Sequence, residues 1–310
     1  MFQTIKSLQF LSHLKFRYKN RQVRRDYRIE GTKYFTSEMA YRTGIKNPEF
    51  KQGYRKFLDL IQEILVNKET GTFYKFGDGD YYFLNKISVG SAKPGSRALS
   101  KNYSEINIDE FRFRSSGCNY YFCEIPDHNR DLFYKTFGDT LIHSPAEYIY
   151  ASIANRDLFR IISQTKSKVG LIGANQKLLL IKELIEYSEY QEYLGITQFD
   201  QYIPIPQKFA CDDPEQILQD INSLIEKNKC DIYLLGVGHI KSYILSELGK
   251  KWNSVFLDVG SGIDALAGVI DTRRPYFGKW RNFTLPNSEA YELIDYLQFN
   301  HRNKRKLMER

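Results

Sequence analysis

Apolar and polar positions alternate in a regular way in the second half of the chain. From about residue 145, short apolar blocks are followed by stretches whose apolar residues recur at helical spacing. The apolar blocks predict strands near residues 167–173, 197–206, 230–238 and 253–262. Continuous apolar strands that alternate with helices are typical of a parallel sheet covered on both faces. We therefore predict an α/β fold, with a Rossmann-like, mostly parallel sheet and helices on both faces.

Helical periodicity also predicts two helices near the start of the chain. Residues 2–16 form an amphipathic pattern, whose apolar face would lie either on an anionic membrane surface or on the rest of its own domain. Residues 48–71 form a second helix that ends at Gly71. The segment "TFYKF" at 72–76 then reads as a strand. Later in the chain, a helix is predicted from Pro214, with Asp212 or Asp213 as its N-cap.

Two aspartates, Asp78 and Asp80, flank Gly79 immediately after the strand predicted at 72–76. In an extended segment, this spacing places both carboxylates on the same side of the chain. Two converging carboxylates suit a hard divalent cation such as Mg²⁺ or Mn²⁺. However, Asp and Gly are also residues that favour a tight turn, so "DGD" is typical of a turn as well. The residues alone leave both readings open, and "YYFLN" after them is either a strand or the first turn of a helix.

Glycines follow three of the predicted strands. Ligands of open α/β sheets bind beyond the carboxyl ends of the strands, and glycines there let backbone N–H groups approach a phosphate. The alternative is that these are ordinary tight turns. "GSGIDA" at 260–265 partly matches the dinucleotide fingerprint, which keeps a Rossmann-like methyltransferase or oxidoreductase open. The candidate phosphate-binding glycines are Gly173, Gly236, Gly238 and Gly260.

Charge adds a preference for anionic partners. The 310 residues carry a formal net charge of +8, and the basic blocks lie at 15–28 and 301–310. Arg273 and Arg274 lie in a further basic, aromatic segment and suit phosphate. A non-catalytic anion-binding module is therefore a third alternative. Residues 86–118 form the least regular region and are a candidate lid or acceptor site.

The spacing of the cysteines and the length of the apolar runs help to predict where in the cell the protein is found. The four cysteines form no C-x-x-C pair, which argues against a zinc site. With no secretion signal evident, we expect reduced thiols in a cytoplasmic protein. No apolar run approaches the length of about 18 residues that a membrane span requires. Peripheral contact with the inner face of the membrane remains an expectation, and no nucleic-acid partner is expected.

Three separated segments carry a resemblance to a known family. "YKFGDGDYYFL" resembles the "RFGDGE" signature of the GT-D-fold glycosyltransferases of bacterial adhesin glycosylation and polysaccharide biosynthesis loci. Downstream, "IYLLGVGHIKSYILSELGK" and "VFLDVGSGIDALAG" are similar to that family's glycine-rich strand and turn segments in order and spacing. The resemblance covers roughly residues 50–285, and departs at Asp80, where the family usually has glutamate.

The resemblance implies a metal-dependent glycosyltransferase that moves a sugar from a nucleotide-sugar donor, with a UDP-sugar as first choice, to a glycan, glycoprotein or lipid-linked acceptor. It implies Mn²⁺ or Mg²⁺ at Asp78 and Asp80. The predicted organisation is an N-terminal helical, basic extension (1–50), a glycosyltransferase domain (51–285) and a C-terminal helix with a basic tail (286–310). The candidate proton acceptors are Asp258, Asp264 and His239, and the donor-binding residues are Gly77, Asp78, Gly79, Asp80, Gly173, Gly236, Gly238, Gly260, Arg273 and Arg274.

Overall fold

The computed structural model describes residues 48–85, 105–124, 127–269, 283–285 and 291. Several predictions fall on the rest of the chain and lie outside the described residues. They concern the helix at 2–16, both basic blocks, and Arg273 and Arg274.

Seven parallel strands form one sheet in the described residues. Their order across the sheet is β3-β2-β1-β7-β6-β4-β5, and every adjacent pair is parallel. This confirms the predicted fold class. The strands are β1 (Gly71–Phe76), β2 (Tyr120–Cys123), β3 (Ser144–Pro145), β4 (Val169–Ala174), β5 (Gln201–Ile205), β6 (Ile232–Gly236) and β7 (Val255–Asp258).

Helices connect these strands and cover both faces of the sheet. The chain between β6 and β7 begins with a short 3-10 helix, Gly238–Ile240. No helix in the described residues is long and apolar enough to cross a membrane. The α-helices are α1 (Pro48–Asn67), α2 (Asp78–Leu84), α3 (Ile108–Ser115), α4 (Asp127–Phe137), α5 (Glu147–Ala154), α6 (Asp157–Thr165), α7 (Asn175–Leu184), α8 (Ser188–Leu194), α9 (Pro214–Lys227), α10 (Lys241–Lys251) and α11 (Gly262–Leu266).

Two apolar cores lie on opposite faces of the sheet because neighbouring side chains of a strand point to opposite sides. In β1, Phe73 belongs to one core, whereas Tyr74 and Phe76 belong to the other. The Phe73 core contains buried residues of α1, α5, α6, α7, α8 and α11. The Tyr74 core contains those of α2, α3, α4, α9 and α10. The connections from β1 to β2 and from β6 to β7 run in the same direction, so right-handed crossovers place α3 and α10 on one face.

The structure differs from the sequence prediction at several boundaries. Helix α1 ends at Asn67, where Lys68 adopts a positive φ of 55°, and Gly71 begins β1 instead of ending the helix. The region expected to be irregular up to residue 118 contains α3, because Asn107 accepts a hydrogen bond from the amide of Glu110 and caps it. The predicted cap at Asp213 is confirmed, since its side chain accepts from the amide of Gln216.

Helix α10 approaches β1 closely through Gly249. A Cβ atom at this position would lie 2.3 Å from Cγ2 of Thr72. The other arm of Thr72, its hydroxyl, lies 2.8 Å from Oδ1 of Asn119. The first residue of the same helix, Lys241, contacts the carbonyl of Lys75 at the carboxyl end of β1.

We expect Gly249→Ala to lower the free energy of unfolding by about 1–3 kcal/mol, because the added methyl group overpacks this contact. Urea denaturation of the variant measures the loss. The double variant Gly249→Ala/Thr72→Ser should recover most of it, since serine keeps the hydroxyl and removes Cγ2. A double variant no more stable than Gly249→Ala would show that contact with Cγ2 of Thr72 does not cause the loss of stability.

Candidate active site

The ends of β1, β7 and β6, three neighbouring strands, bring together three charged side chains, of which Asp80 and Asp258 were predicted from the sequence. Asp80 lies in α2, directly after β1, and Asp258 is the last residue of β7. Lys241, the first residue of α10, follows β6 and the 3-10 helix. We call Asp80, Lys241 and Asp258 the carboxylate–lysine cluster. Their exposed fractions are 4%, 5% and 2%, so the cluster is almost entirely buried.

Lys241 joins the two carboxylates. Its Nζ atom lies 2.7 Å from Oδ2 of Asp258 and 3.1 Å from Oδ1 of Asp80. The same ammonium group donates to the backbone carbonyl of Lys75, at the end of β1. The structure thus places Asp80 and Asp258 on one ammonium group, a pairing that was not predicted from the sequence.

Asp80 also fixes the turn that carries "DGD". Its Oδ2 accepts a hydrogen bond from the amide of Gly77 at 2.9 Å, and its own amide donates to the carbonyl of Gly77 at 3.0 Å. The Tyr74 hydroxyl donates to Oδ1 of Asp80 at 3.1 Å. The motif is therefore the start of a helix, and neither a hairpin turn nor an extended strand. The side chain of Asp78, the first residue of this helix, lies outside the described part of the chain.

The surroundings of Asp80 favour its ionised form. Burial by itself would raise the pKa of Asp80, but Lys241, His239 and Lys75 outweigh burial and hold the pKa well below its usual range. A carboxylate whose pKa is lowered by folding stabilises the folded state above its unfolded pKa. This stability is lost as the pH falls towards the folded pKa.

We therefore expect the wild-type free energy of unfolding to fall more steeply than that of Asp80→Asn below about pH 4, the region of an unfolded aspartate's pKa. Urea denaturation at a series of pH values from 7 to 3 measures both slopes. Asp109→Asn is the matched control, because Asp109 is exposed in its ion pair with Arg112. Parallel curves for wild type and Asp80→Asn would contradict the expectation.

Asp80 does not fit direct ligation of a divalent cation in this arrangement. Oδ2 accepts hydrogen bonds from Lys241 and from the amide of Gly77, and Oδ1 accepts one from the Tyr74 hydroxyl and lies 3.1 Å from the Lys241 ammonium group. An ionised carboxylate offers about four lone-pair positions; three of them accept hydrogen bonds here, and the ammonium group faces the remaining one. No group of three or more metal-binding side chains occurs among the described residues. The predicted metal role of Asp78 and Asp80 stays a prediction.

His239 lies at the edge of the carboxylate–lysine cluster. Its side chain is 19% exposed, and its Nδ1 atom lies 3.7 Å from Oδ1 of Asp80. The ring stacks on Phe83 of α2 at a centroid distance of 4.9 Å. A Cβ atom at Gly79 would lie 3.0 Å from Cε1 of His239, so a side chain there would push against this ring. The structure thus brings His239 and the "DGD" turn into contact.

Three further charged residues of this region were not singled out from the sequence. Lys241 and Lys75 are buried lysines, and Glu124 follows β2. The carboxylate of Glu124 accepts from Nδ2 of Asn129 at 3.0 Å, and its Oε1 would lie 3.3 Å from a Cβ atom at Gly77.

Burial lowers the pKa of Lys75, but Tyr150, Asp258, Glu124 and Asp80 outweigh it and raise the pKa well above its usual value.

The predicted phosphate-binding glycines have different surroundings. A Cβ atom at Gly236 would lie 2.4 Å from Ile263, so this glycine allows α11 to pack against β6. Gly260 and Gly238 have positive φ angles of 49° and 64°, a region that favours glycine. Gly238 is exposed, whereas Gly173 lies opposite Gly236 in the sheet. The donor-binding role of all four stays a prediction.

Asp264 lies in a second charged pair. Its Oδ1 is 2.5 Å from Nζ of Lys177 in α7, and both side chains are mostly buried. Asp258 and Asp264, although only six residues apart, are thus paired with lysines from different helices, α10 and α7.

One solved structure similar to this chain is described as "A New Glycosyltransferase (DUF1792) from Streptococcus sanguinis". The TM-score is 0.45 and the sequence identity is 11%, with 76% of this chain and 95% of that chain covered. No family profile and no curated protein sequence matches the chain. At this TM-score and identity, the likeness by itself assigns no function.

Proposed function

We propose that this protein is a glycosyltransferase whose active site lies at the carboxyl ends of β1, β7 and β6. The observation that supports the proposal is the carboxylate–lysine cluster at this edge, next to His239 and the "DGD" turn. Ligands of parallel α/β sheets bind at the carboxyl ends of their strands. A buried carboxylate whose pKa is lowered, as that of Asp80 is, favours an active site over a purely structural role when it lies at such an edge.

A nucleotide-sugar donor is the substrate that the sequence favours. The "FGDGD" segment, which carries the family resemblance, forms the turn that Asp80 fixes. Gly238 follows β6 at the same edge and is exposed, so a diphosphate can approach the backbone there. A UDP-sugar is our first choice of donor, and the acceptor class is a glycan, a glycoprotein or a lipid-linked sugar.

His239 is the proton acceptor that we propose among the three predicted candidates. Asp258 accepts from Lys241, from the amide of Lys75 and from the amide of Gly260, and it is 2% exposed, so its carboxylate is shielded from an acceptor hydroxyl. Asp264 is paired with Lys177. In contrast, the side chain of His239 is 19% exposed and stacks on the Phe83 ring.

The reaction that this arrangement supports is attack by an acceptor hydroxyl on the anomeric carbon of the donor sugar. His239 takes the proton of the hydroxyl, the new glycosidic bond forms, and the bond to the nucleoside diphosphate breaks. The nucleoside diphosphate leaves with the electron pair of that bond. We route no step through a divalent cation, because the contacts of Asp80 do not fit one.

The proposal is tested with a panel of UDP-, GDP-, dTDP- and CMP-sugars, each with and without Mn²⁺. Thermal unfolding of the full chain measures binding, and release of the free nucleotide measures turnover. We expect one nucleotide class to raise the melting temperature and to be cleaved. Binding stabilises a protein by mass action, by about 2.7 kcal/mol when the ligand is at 100 times its Kd.

The same panel includes S-adenosylmethionine, NAD and anionic vesicles, which represent the two alternatives left open by the sequence. Stabilisation by S-adenosylmethionine or NAD, with no response to any nucleotide sugar, would replace the proposal with a methyltransferase or oxidoreductase. Salt-sensitive binding to vesicles alone would favour a non-catalytic module.

A further inference from the structure

We propose that the ammonium group of Lys241 permanently holds the place of a divalent cation between Asp80 and Asp258, and that Asp80 is a positioning residue instead of a metal ligand. This inference goes beyond the proposed function and holds whatever the substrate. It follows from the contacts of the carboxylate–lysine cluster.

Oxygen atoms surround the ammonium group of Lys241. Nζ of Lys241 has four oxygen neighbours from three groups: both oxygens of Asp80, at 3.1 and 3.2 Å, one of Asp258 at 2.7 Å, and the carbonyl of Lys75. Carboxylate and backbone carbonyl oxygens are also the ligands that hard divalent cations prefer. The three N–H bonds of an ammonium group match the three groups, so the lysine is fully satisfied.

Lys241 lies at a position that is unfavourable for a positive charge. Lys241 is the first residue of α10, where the helix dipole disfavours a positive charge. Its side chain is also buried, which disfavours a charge further. Both costs are offset only because two carboxylates face the ammonium group. A lysine kept at so unfavourable a position indicates that a fixed positive charge is required there.

The consequence for the site is a turn that is ordered before any ligand arrives. Lys241 holds Asp80, and Asp80 in turn binds the amide of Gly77 and the hydroxyl of Tyr74. His239, two residues before Lys241, packs against Gly79 of the same turn. One ammonium group therefore links the end of β1, the end of β7 and the start of α10.

The test compares Mn²⁺ binding by wild type, Lys241→Ala and Lys250→Ala after removal of metals with EDTA. Lys250 lies on the same helix but is 62% exposed, so Lys250→Ala is the matched control. Calorimetric titration and thermal unfolding, with and without Mn²⁺, are the measurements. We expect Lys241→Ala to melt at a lower temperature and to regain part of the loss with Mn²⁺, because the metal can then take the place of the ammonium group between the two carboxylates.

Wild type and Lys250→Ala should show no Mn²⁺ binding that depends on Asp80. Asp80→Asn supplies the decisive comparison even if Lys241→Ala does not fold. Wild-type Mn²⁺ binding that is lost in Asp80→Asn would overturn the proposal, as would a folded Lys241→Ala variant that gains no response to Mn²⁺. These readouts require no nucleotide sugar, so they fail or succeed separately from the proposed function.

Discussion

Replacing Lys241 with methionine should lower the free energy of unfolding by about 3–5 kcal/mol, because it leaves two buried carboxylates without their cation. Methionine fills a similar volume, so lost packing contributes little. Asp80 and Asp258 would then face each other at the carboxyl ends of β1 and β7 with only backbone amides, the Tyr74 hydroxyl and the nearby His239 and Lys75 to compensate. Urea denaturation at pH 7 measures the loss.

Lys250→Met on the same helix is the control for this prediction. Its ammonium group forms an exposed pair with Glu247, which is worth about 0–1 kcal/mol. A Lys241→Met variant as stable as this control would show that the buried cluster is not held by the ammonium group. A further substitution, Asp258→Asn in the Lys241→Met background, should restore part of the stability, because one unpaired charge is removed.

His239→Gln should lower the turnover of the nucleotide-sugar donor by about 10²–10⁴-fold, the range for loss of a general base. Glutamine cannot take the proton at neutral pH, although it keeps a polar side chain of similar reach. The effect should fall mainly on kcat. The rate of nucleotide release under saturating donor and acceptor measures it, with circular dichroism as the check that the fold is retained.

His143→Gln is the matched control for this prediction. His143 lies in the loop before β3 and packs against Phe133, at a centroid distance of 4.9 Å. It is not part of the proposed site, so its replacement should leave kcat within about two-fold. An unchanged rate in His239→Gln would remove His239 from the mechanism and make Glu124 the next carboxylate to replace.

The sequence predicted the second half of the sheet well because its strands are continuous apolar runs. Strands β5, β6 and β7 lie within the predicted blocks and β4 extends one residue past its block, since strands buried on both faces need an apolar side chain at almost every position. Strands β2 and β3 were not predicted. They have only four and two residues, and such short segments carry no measurable period.

The residues of the candidate site also divide into those that the sequence predicted and those that it did not. Asp80, Asp258 and His239 were found because they follow strands or carry a motif, and the structure brings them together. Lys241 and Lys75 were not found, because a lysine in sequence normally indicates an exposed position. One signal was available: Lys241 opens a helix at the end where a cation is disfavoured. Glu124 follows a strand too short to be predicted.

The most direct test of the account is a crystal structure of the full chain with the nucleotide, or nucleotide sugar, that the binding panel selects. We expect the diphosphate to lie at the carboxyl ends of β1, β7 and β6, against the "DGD" turn and within reach of His239. Lys241 should still lie between Asp80 and Asp258. A nucleotide bound elsewhere on the chain, or a metal ion ligated by Asp80 in place of Lys241, would contradict it.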